Sequence, residues 1–172
     1  MPLYETEEDI GREREVASRL SEKYHVDLVK MPKTWPVDWV CVDKSDMVLA
    51  FVEIKCRHNY TYEWMDRNGG LILDVRKLVA FDNLIRTSGL SCILAIQFKG
   101  GDIYTWTHKE GLRRPFRIVV AGRRDRDDGM EACAIIPMSF FKLIHRSRNE
   151  ASPETSHPAT SHSDSSRPPI EF

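Results

Sequence analysis

Apolar positions in the first stretch of the chain recur at helical spacing. Ile10, Ala17, Leu20 and Tyr24 fall on one stripe when residues are set about 100° apart, and Thr6 followed by Asp9 resembles a helix start, a loose capping box. The period then changes. HVDLVKM at residues 25–31, PVDWVCVD from Pro36 and MVLAFVEIK from Met47 read as three strands, the last two joined by the turn-like Lys44-Ser45-Asp46. Asn68-Gly69-Gly70 breaks the chain. Asp74 then suits the N-cap of a second helix, in which Val75, Leu78, Phe81 and Ile85 share a face and which Gly89 ends. SCILAIQF and DIYTWTH flank Gly100-Gly101 as a hairpin. RIVVAG and EACAIIP predict two further strands, with a short helix around Phe140 to His145. No internal repeat is present. The order αβββαβ, with more strands appended, predicts an α/β sandwich on a mixed sheet.

Length and composition narrow what such a domain does. A chain of 172 residues is one domain's worth of sequence with an appendage. The appendage starts near Asn149, where Ser, Thr, Pro, His and charge take over, so a domain over residues 1–148 and a disordered tail over 149–172 are expected. His157 and His162 in that tail read as solvated polar filler. The whole chain has 25 basic and 26 acidic residues; without the tail the balance is 24 to 22, a body of net +2. That disfavours a coat for polyanions but leaves room for a local basic groove. No apolar run nears the roughly 18 residues a membrane span needs. The start, MPLYETEEDI, is acidic where a signal peptide would be basic and then apolar, so a soluble, cytoplasmic protein with no membrane partner is expected. Cys41, Cys56, Cys92 and Cys133 stand singly, without C-x-x-C spacing, and read as reduced thiols.

The chemistry is narrowed by what is missing. There is no G-x-x-x-x-G-K-[ST], no G-x-S-x-G and no H-E-x-x-H. What remains is a set of carboxylates and one lysine in the predicted hairpin. Strand side chains alternate, so Glu53 and Lys55 share one face while Val52 and Ile54 point to the other. With the hairpin centred on Ser45-Asp46, Asp38 lies opposite Glu53. Two opposed carboxylates repel unless something positive sits between them. A divalent cation is the natural occupant, and all-oxygen ligands suit Mg²⁺ or Mn²⁺ rather than Zn²⁺. Glu13 falls inside the apolar stripe of the first helix, whereas Glu8 and Glu15 point away. A carboxylate on a packed face needs a cation. Either Glu13 pairs with a buried Arg or Lys, or it is a third acid reaching the same site, and the hairpin favours the second. Arg57, His58, Asn59, Tyr60, Tyr62 and Trp64 follow in a predicted loop, where they line a DNA groove or tuck onto the core. Arg113, Arg114, Arg117, Arg123, Arg124 and Arg126 offer phosphate contacts, but Asp125, Asp127 and Asp128 among them point to a solvated hairpin tip.

Taken together, these residues resemble the PD-(D/E)XK nuclease superfamily, and within it the archaeal-type Holliday junction resolvases and small phage nucleases. Asp38 matches the first motif position, inside Pro36-Val37-Asp38 where the family more often has Pro-Asp adjacent; Glu53 and Lys55 match (Asp/Glu)-x-Lys unchanged. Glu13-Arg14-Glu15-Val16 resembles the Glu-Arg start of the resolvase first helix. Leu73-Asp74-Val75-Arg76-Lys77 resembles the second-helix entry, where these enzymes place a basic or amide residue; that role falls to Lys77. The likeness spans residues 6 to 108. It implies a restriction-endonuclease-like αβββαβ core and Mg²⁺- or Mn²⁺-dependent phosphodiester hydrolysis. The implied ligands are Asp38, Glu53, Glu13 and the Ile54 carbonyl, with Lys55 orienting water or meeting the phosphate. The resemblance gives Lys77 the DNA-contact role; Arg76, beside it in the first turn of the predicted helix, and Arg57 and His58, after the motif, are the further expected DNA contacts. The implied partners are DNA, branched DNA included, and a second copy in a homodimer; a phage source fits. The rival readings are a nuclease fold that binds without cutting, and an interaction protein whose acids are surface decoration.

Overall fold

The computed structural model describes residues 7–109, 116–121 and 130–147. Helical spacing holds over α1 (Glu7–Tyr24), whose first turn carries Glu7, Glu8 and Asp9 and whose last carries Lys23, the arrangement a helix dipole favours. Its buried residues are Val16, Ala17 and Leu20. Strands β1 (Asp27–Lys30), β2 (Trp39–Val42) and β3 (Val48–Arg57) form an antiparallel meander. Asp43 closes the β2–β3 turn, its Oδ1 accepting from the Ser45 and Met47 amides, while Asp46 takes a left-handed φ of 59°.

A parallel neighbour for β3 requires a crossover. It is supplied by α2 (Tyr62–Arg67), β4 (Leu71–Asp74) and α3 (Val75–Ser88), which lead into β5 (Ser91–Phe98). The Asp74 side chain accepts from the Arg76 amide at the N-cap of α3, and Gly89 ends the helix at φ 73°, its amide reaching the Ile85 carbonyl. At Gly70, φ is 129° and an added Cβ would lie 2.3 Å from the Ile136 carbonyl oxygen, so only glycine lets β4 approach its partner strand. Then follow β6 (Ile103–His108), β7 (Arg117–Ala121), β8 (Glu131–Ile136), a 3-10 turn (Met138–Phe140) and β9 (Lys142–His145).

The main sheet runs β1-β2-β3-β5-β6-β9, with β3 and β5 parallel and the rest antiparallel; a second sheet runs β4-β8-β7. Two cores cover the two faces of the main sheet. On one face Val16, Ala17 and Leu20 of α1 meet Trp39, Val52, Ile54 and Ala95. On the other, Phe81 and Ile85 of α3 and Leu71 and Ile136 of the second sheet meet Phe51, Leu94 and Ile96. The central strand β5 is buried from both sides, which explains its nearly unbroken apolar sequence.

The expected αβββαβ order and mixed sheet are present, with three corrections. The segment expected as a loop after Lys55 is the end of β3 followed by α2, because Thr61 caps the helix on the Trp64 amide and Met65 has a core to enter. The short helix expected over 140–145 is the 3-10 turn and β9, which pairs with β6. The appended β7 and β8 build a separate sheet on β4, a strand before α3 that was not expected, while β6 and β9 extend the main one. The tail from residue 149, Thr6, and the arginines at 113, 114, 123, 124 and 126 lie outside the described residues. No described helix is long and apolar enough to cross a membrane, and all four cysteines are free.

Candidate active site

The two cores fix which way β3 points its side chains. Val52 and Ile54 pack toward α1, so the alternating Glu53, Lys55 and Arg57 face α3. The β2–β3 ladder pairs Trp39 with Val52; carried one residue further, it sets Asp38 opposite Glu53. Asp38 Oδ2 accepts from the Ile54 amide at 3.2 Å. The amide and carbonyl of one strand residue point the same way, so the Ile54 carbonyl also lies on the Asp38 side, beyond the last β2 pairing.

Glu53 is 0% exposed. Two lysines from different elements converge on it. Lys55 Nζ lies 2.5 Å from Oε1, and Lys77 Nζ, from the first turn of α3, donates to Oε2 at 2.7 Å. Lys77 also donates to the Pro36 carbonyl at 2.8 Å, tying the segment before Asp38 to the end of β3. Burial holds the Glu53 carboxyl above the usual range; Lys55 and Lys77 pull it down and Asp38 pushes it up, without reversing the sign. The Lys55 ammonium is the one partner of Oε1 among the described residues, so this buried carboxylate oxygen has acceptor capacity to spare. A buried carboxylate oxygen of that kind fits a cation. The donors here are Asp38, Glu53 and the Ile54 carbonyl, all hard oxygens. Among the described residues no three His, Cys, Asp or Glu side chains group to hold a metal. Mg²⁺ suits such a site, since it binds through one or two carboxylates and keeps water and substrate oxygens in its other positions.

The structure does not bring Glu13 to this pair. Its Oε2 lies 2.5 Å from Lys30 Nζ, and that ammonium sits 5.1 Å from the centre of the Trp39 ring. Trp39 belongs to the core on the α1 face, the side away from Glu53. The acid on the packed helix face does have its cation, but the cation is a lysine of β1 rather than the expected metal. Glu15, its expected counterpart in solvent, is exposed.

Of the expected DNA contacts, Lys77 is in the site. Arg76 turns away, pairing with Asp74 at 2.5 Å and with Glu131 of β8. Arg57 continues the Glu53–Lys55 face. His58 is exposed, its Nδ1 3.2 Å from the Arg12 guanidinium of α1. Tyr62 tucks inward onto Phe98 and Tyr104 and donates to the Met138 carbonyl, whereas Tyr60 and Trp64 stack on one another in the open. Sequence reasoning passed over Trp35. Its signal was a tryptophan between Pro32 and Pro36, three residues before the motif aspartate.

No curated protein matches the chain significantly. Among solved structures, the chain is similar to Hjc of Archaeoglobus fulgidus, a Holliday junction resolvase from an archaeal hyperthermophile. The two share 11% identity over 74% of this chain and 89% of that one, with a TM-score of 0.43. Residues 1–144 match the model of the family described as "Phage putative PDDEXK endonuclease", and the chain belongs to that family.

Proposed function

We propose that the protein is a DNA endonuclease that hydrolyses phosphodiester bonds with Mg²⁺ or Mn²⁺. The observation that supports this most is the fully buried Glu53, opposed to Asp38 and gripped by Lys55 and Lys77. A buried carboxylate between two half-exposed lysines is poor design for stability alone. It suits a site that binds a cation on one side and a phosphate on the other. Asp38, Glu53 and the Ile54 carbonyl would hold the cation. When bound, it supplies Lewis acidity toward the phosphate and lowers the pKa of water. Lys55, on the strand beside Glu53, meets a phosphate oxygen or orients the attacking water. Lys77 stands at the helix start, where backbone dipoles also favour an anion, and adds a second cation for the phosphate backbone.

Junction resolution is the narrower activity that the resemblance implies, acting as a homodimer in host recombination or repair. Purified protein should nick supercoiled plasmid in Mg²⁺ or Mn²⁺ and stop in EDTA. Ca²⁺, with its looser coordination, should bind and support little turnover. Undiminished cutting in EDTA would overturn the metal assignment. A panel of linear, flapped and four-way DNA separates a junction resolvase from a general nuclease.

A further inference from the structure

We propose that two aromatic platforms, Trp35 on one flank of β3 and the Tyr60–Trp64 pair on the other, hold unpaired DNA bases beside the phosphate to be cut. This rests on the nuclease reading above and narrows its substrate to DNA with unstacked nucleotides, such as a single strand, a flap or a branch point. Large aromatics are left in solvent around one site: Trp35 is 46% exposed, Tyr60 38% and Trp64 41%. Isolated exposed apolar residues need no explanation, but three exposed aromatics in the segments that lead into β2 and out of β3, the strands that carry Asp38 and Glu53, do.

Their positions follow from the sheet order. β2 lies on one side of β3 and β5 on the other. Trp35 precedes β2, next to Pro36, whose carbonyl accepts from the same Lys77 ammonium that grips Glu53. Tyr60 follows β3, and its carbonyl accepts from the Lys99 amide just past the end of β5 at 2.8 Å. Helix α2 buries Met65 in the core that contains Phe51 and Phe98, which puts Trp64 on the sheet face toward which Glu53 and Lys55 point.

The backbone under both platforms is held before any ligand arrives. The Trp35 amide donates to the Pro32 carbonyl at 2.9 Å, closing a turn with proline at either end. The Tyr60 and Trp64 rings stack with centroids 4.3 Å apart and planes 29° from parallel. Thr61 fixes the start of α2 by accepting from the Trp64 amide. Tyr62, between them in sequence, packs its ring partly inward against Phe98 and Tyr104; the other two are left facing water. Every nucleobase offers a π-face, so such platforms tolerate any sequence. Bases inside an intact duplex are already stacked and cannot use them.

The test is fluorescence anisotropy of the full chain in Ca²⁺, with a labelled single strand, a flapped duplex and a blunt duplex of matching sequence as probes. Trp35→Leu and Trp64→Leu should each weaken binding of the single strand and the flap about five- to a hundredfold, the range for loss of one stacked base. Blunt-duplex affinity should stay within about twofold of wild type, because phosphate contacts dominate there. Trp35→Phe and Trp64→Phe should restore most of the loss, which a general packing defect would not allow. Leucine variants that bind the single strand like wild type, or that lose blunt duplex equally, overturn the proposal. Wild-type protein that binds none of the three probes overturns the nuclease reading itself, and this one with it.

Discussion

The two faces of β3 handle charge in opposite ways. Toward α1, Val52 and Ile54 enter an apolar core, and the acid of the covering helix, Glu13, is 14% exposed and settled on Lys30 at the sheet's edge. Toward α3, Glu53 is driven fully inside, against an opposed Asp38, and needs lysines from two elements to stay there. The first is a finished ion pair. The second is a compensated excess: each carboxylate oxygen leans on a single lysine, and burial still outweighs both lysines in raising its pKa. A fold retains such an arrangement when a ligand completes it. On the proposed nuclease reading, the α3 face is the working one and the α1 face its support.

The largest effect expected from this contrast is on rate. Lys55→Ala should lower plasmid nicking at least about a hundredfold, the scale of losing one electrostatic stabiliser at the reacting group. Folding and most DNA affinity should remain, since Lys55 is one cation among many for binding. A variant within a few-fold of wild type would remove the functional distinction between the two faces.

Next comes cation binding. Asp38→Asn and Glu53→Gln should each weaken Mg²⁺ or Mn²⁺ binding in calorimetry, and the double variant should add little, because two ligands of one ion act as a unit. Glu53→Gln also has a signature without metal. A carboxyl raised by burial binds its proton more tightly in the folded chain. Its stabilising contribution is therefore full below the unfolded value and is lost as pH rises through the folded one. Metal-free Glu53→Gln should melt higher than wild type at neutral pH, with the gain shrinking as pH falls toward the ordinary 4.5. A lower melting point at neutral pH would mean that the lysine pairs outweigh the burial.

Why one face was legible in the sequence and the other was not follows from the range of the forces involved. Glu53 and Lys55 share a strand, so alternation alone puts them on one face. Asp38 is reached through a single hairpin whose centre the turn residues mark. α3 announces itself by Asp74 and Gly89, local signals at both ends. Glu13 needed a partner from β1, and helical periodicity reports only that a cation must exist, not which element supplies it. α2 is 6 residues long, too short for periodicity, and depends on Met65 finding a core made elsewhere. The second sheet depends on β4 meeting β8 across 60-odd residues, a pairing that no local pattern encodes.

A smaller effect tests how far the α3 face depends on its cap. Asp74→Ala removes the acceptor at the start of α3 and should cost about 1 kcal/mol, or a melting shift of about 2–4 °C. Arg76 holds the Asp74 carboxyl below its usual range, so the stabilisation is present above the unfolded value and is lost as pH falls through the folded one. The deficit of the variant should therefore close in acid. Because Lys77 sits one residue past Arg76, the cap also fixes the cation that reaches Glu53, and nicking should fall a few-fold with it. Unchanged nicking would show that the two contacts of Lys77 position it without help from the helix start.

The smallest effect is expected at Glu13, and it is the one that can join the two faces. With its carboxylate on Lys30, Glu13→Gln should leave nicking within a few-fold of wild type and cost less than about 1 kcal/mol, the scale of a partly exposed pair. Glu15→Gln, on the exposed side of α1, should change neither. A double-mutant cycle with Lys30→Met should assign whatever stability is lost to the pair itself. The opposite result is equally readable. A tenfold or greater loss of nicking in Glu13→Gln, with Glu15→Gln silent, would mean that the acid leaves Lys30 when cation and DNA bind. The Lys30 contact would then be a resting state, and the site would extend past the edge of β2 onto the α1 face.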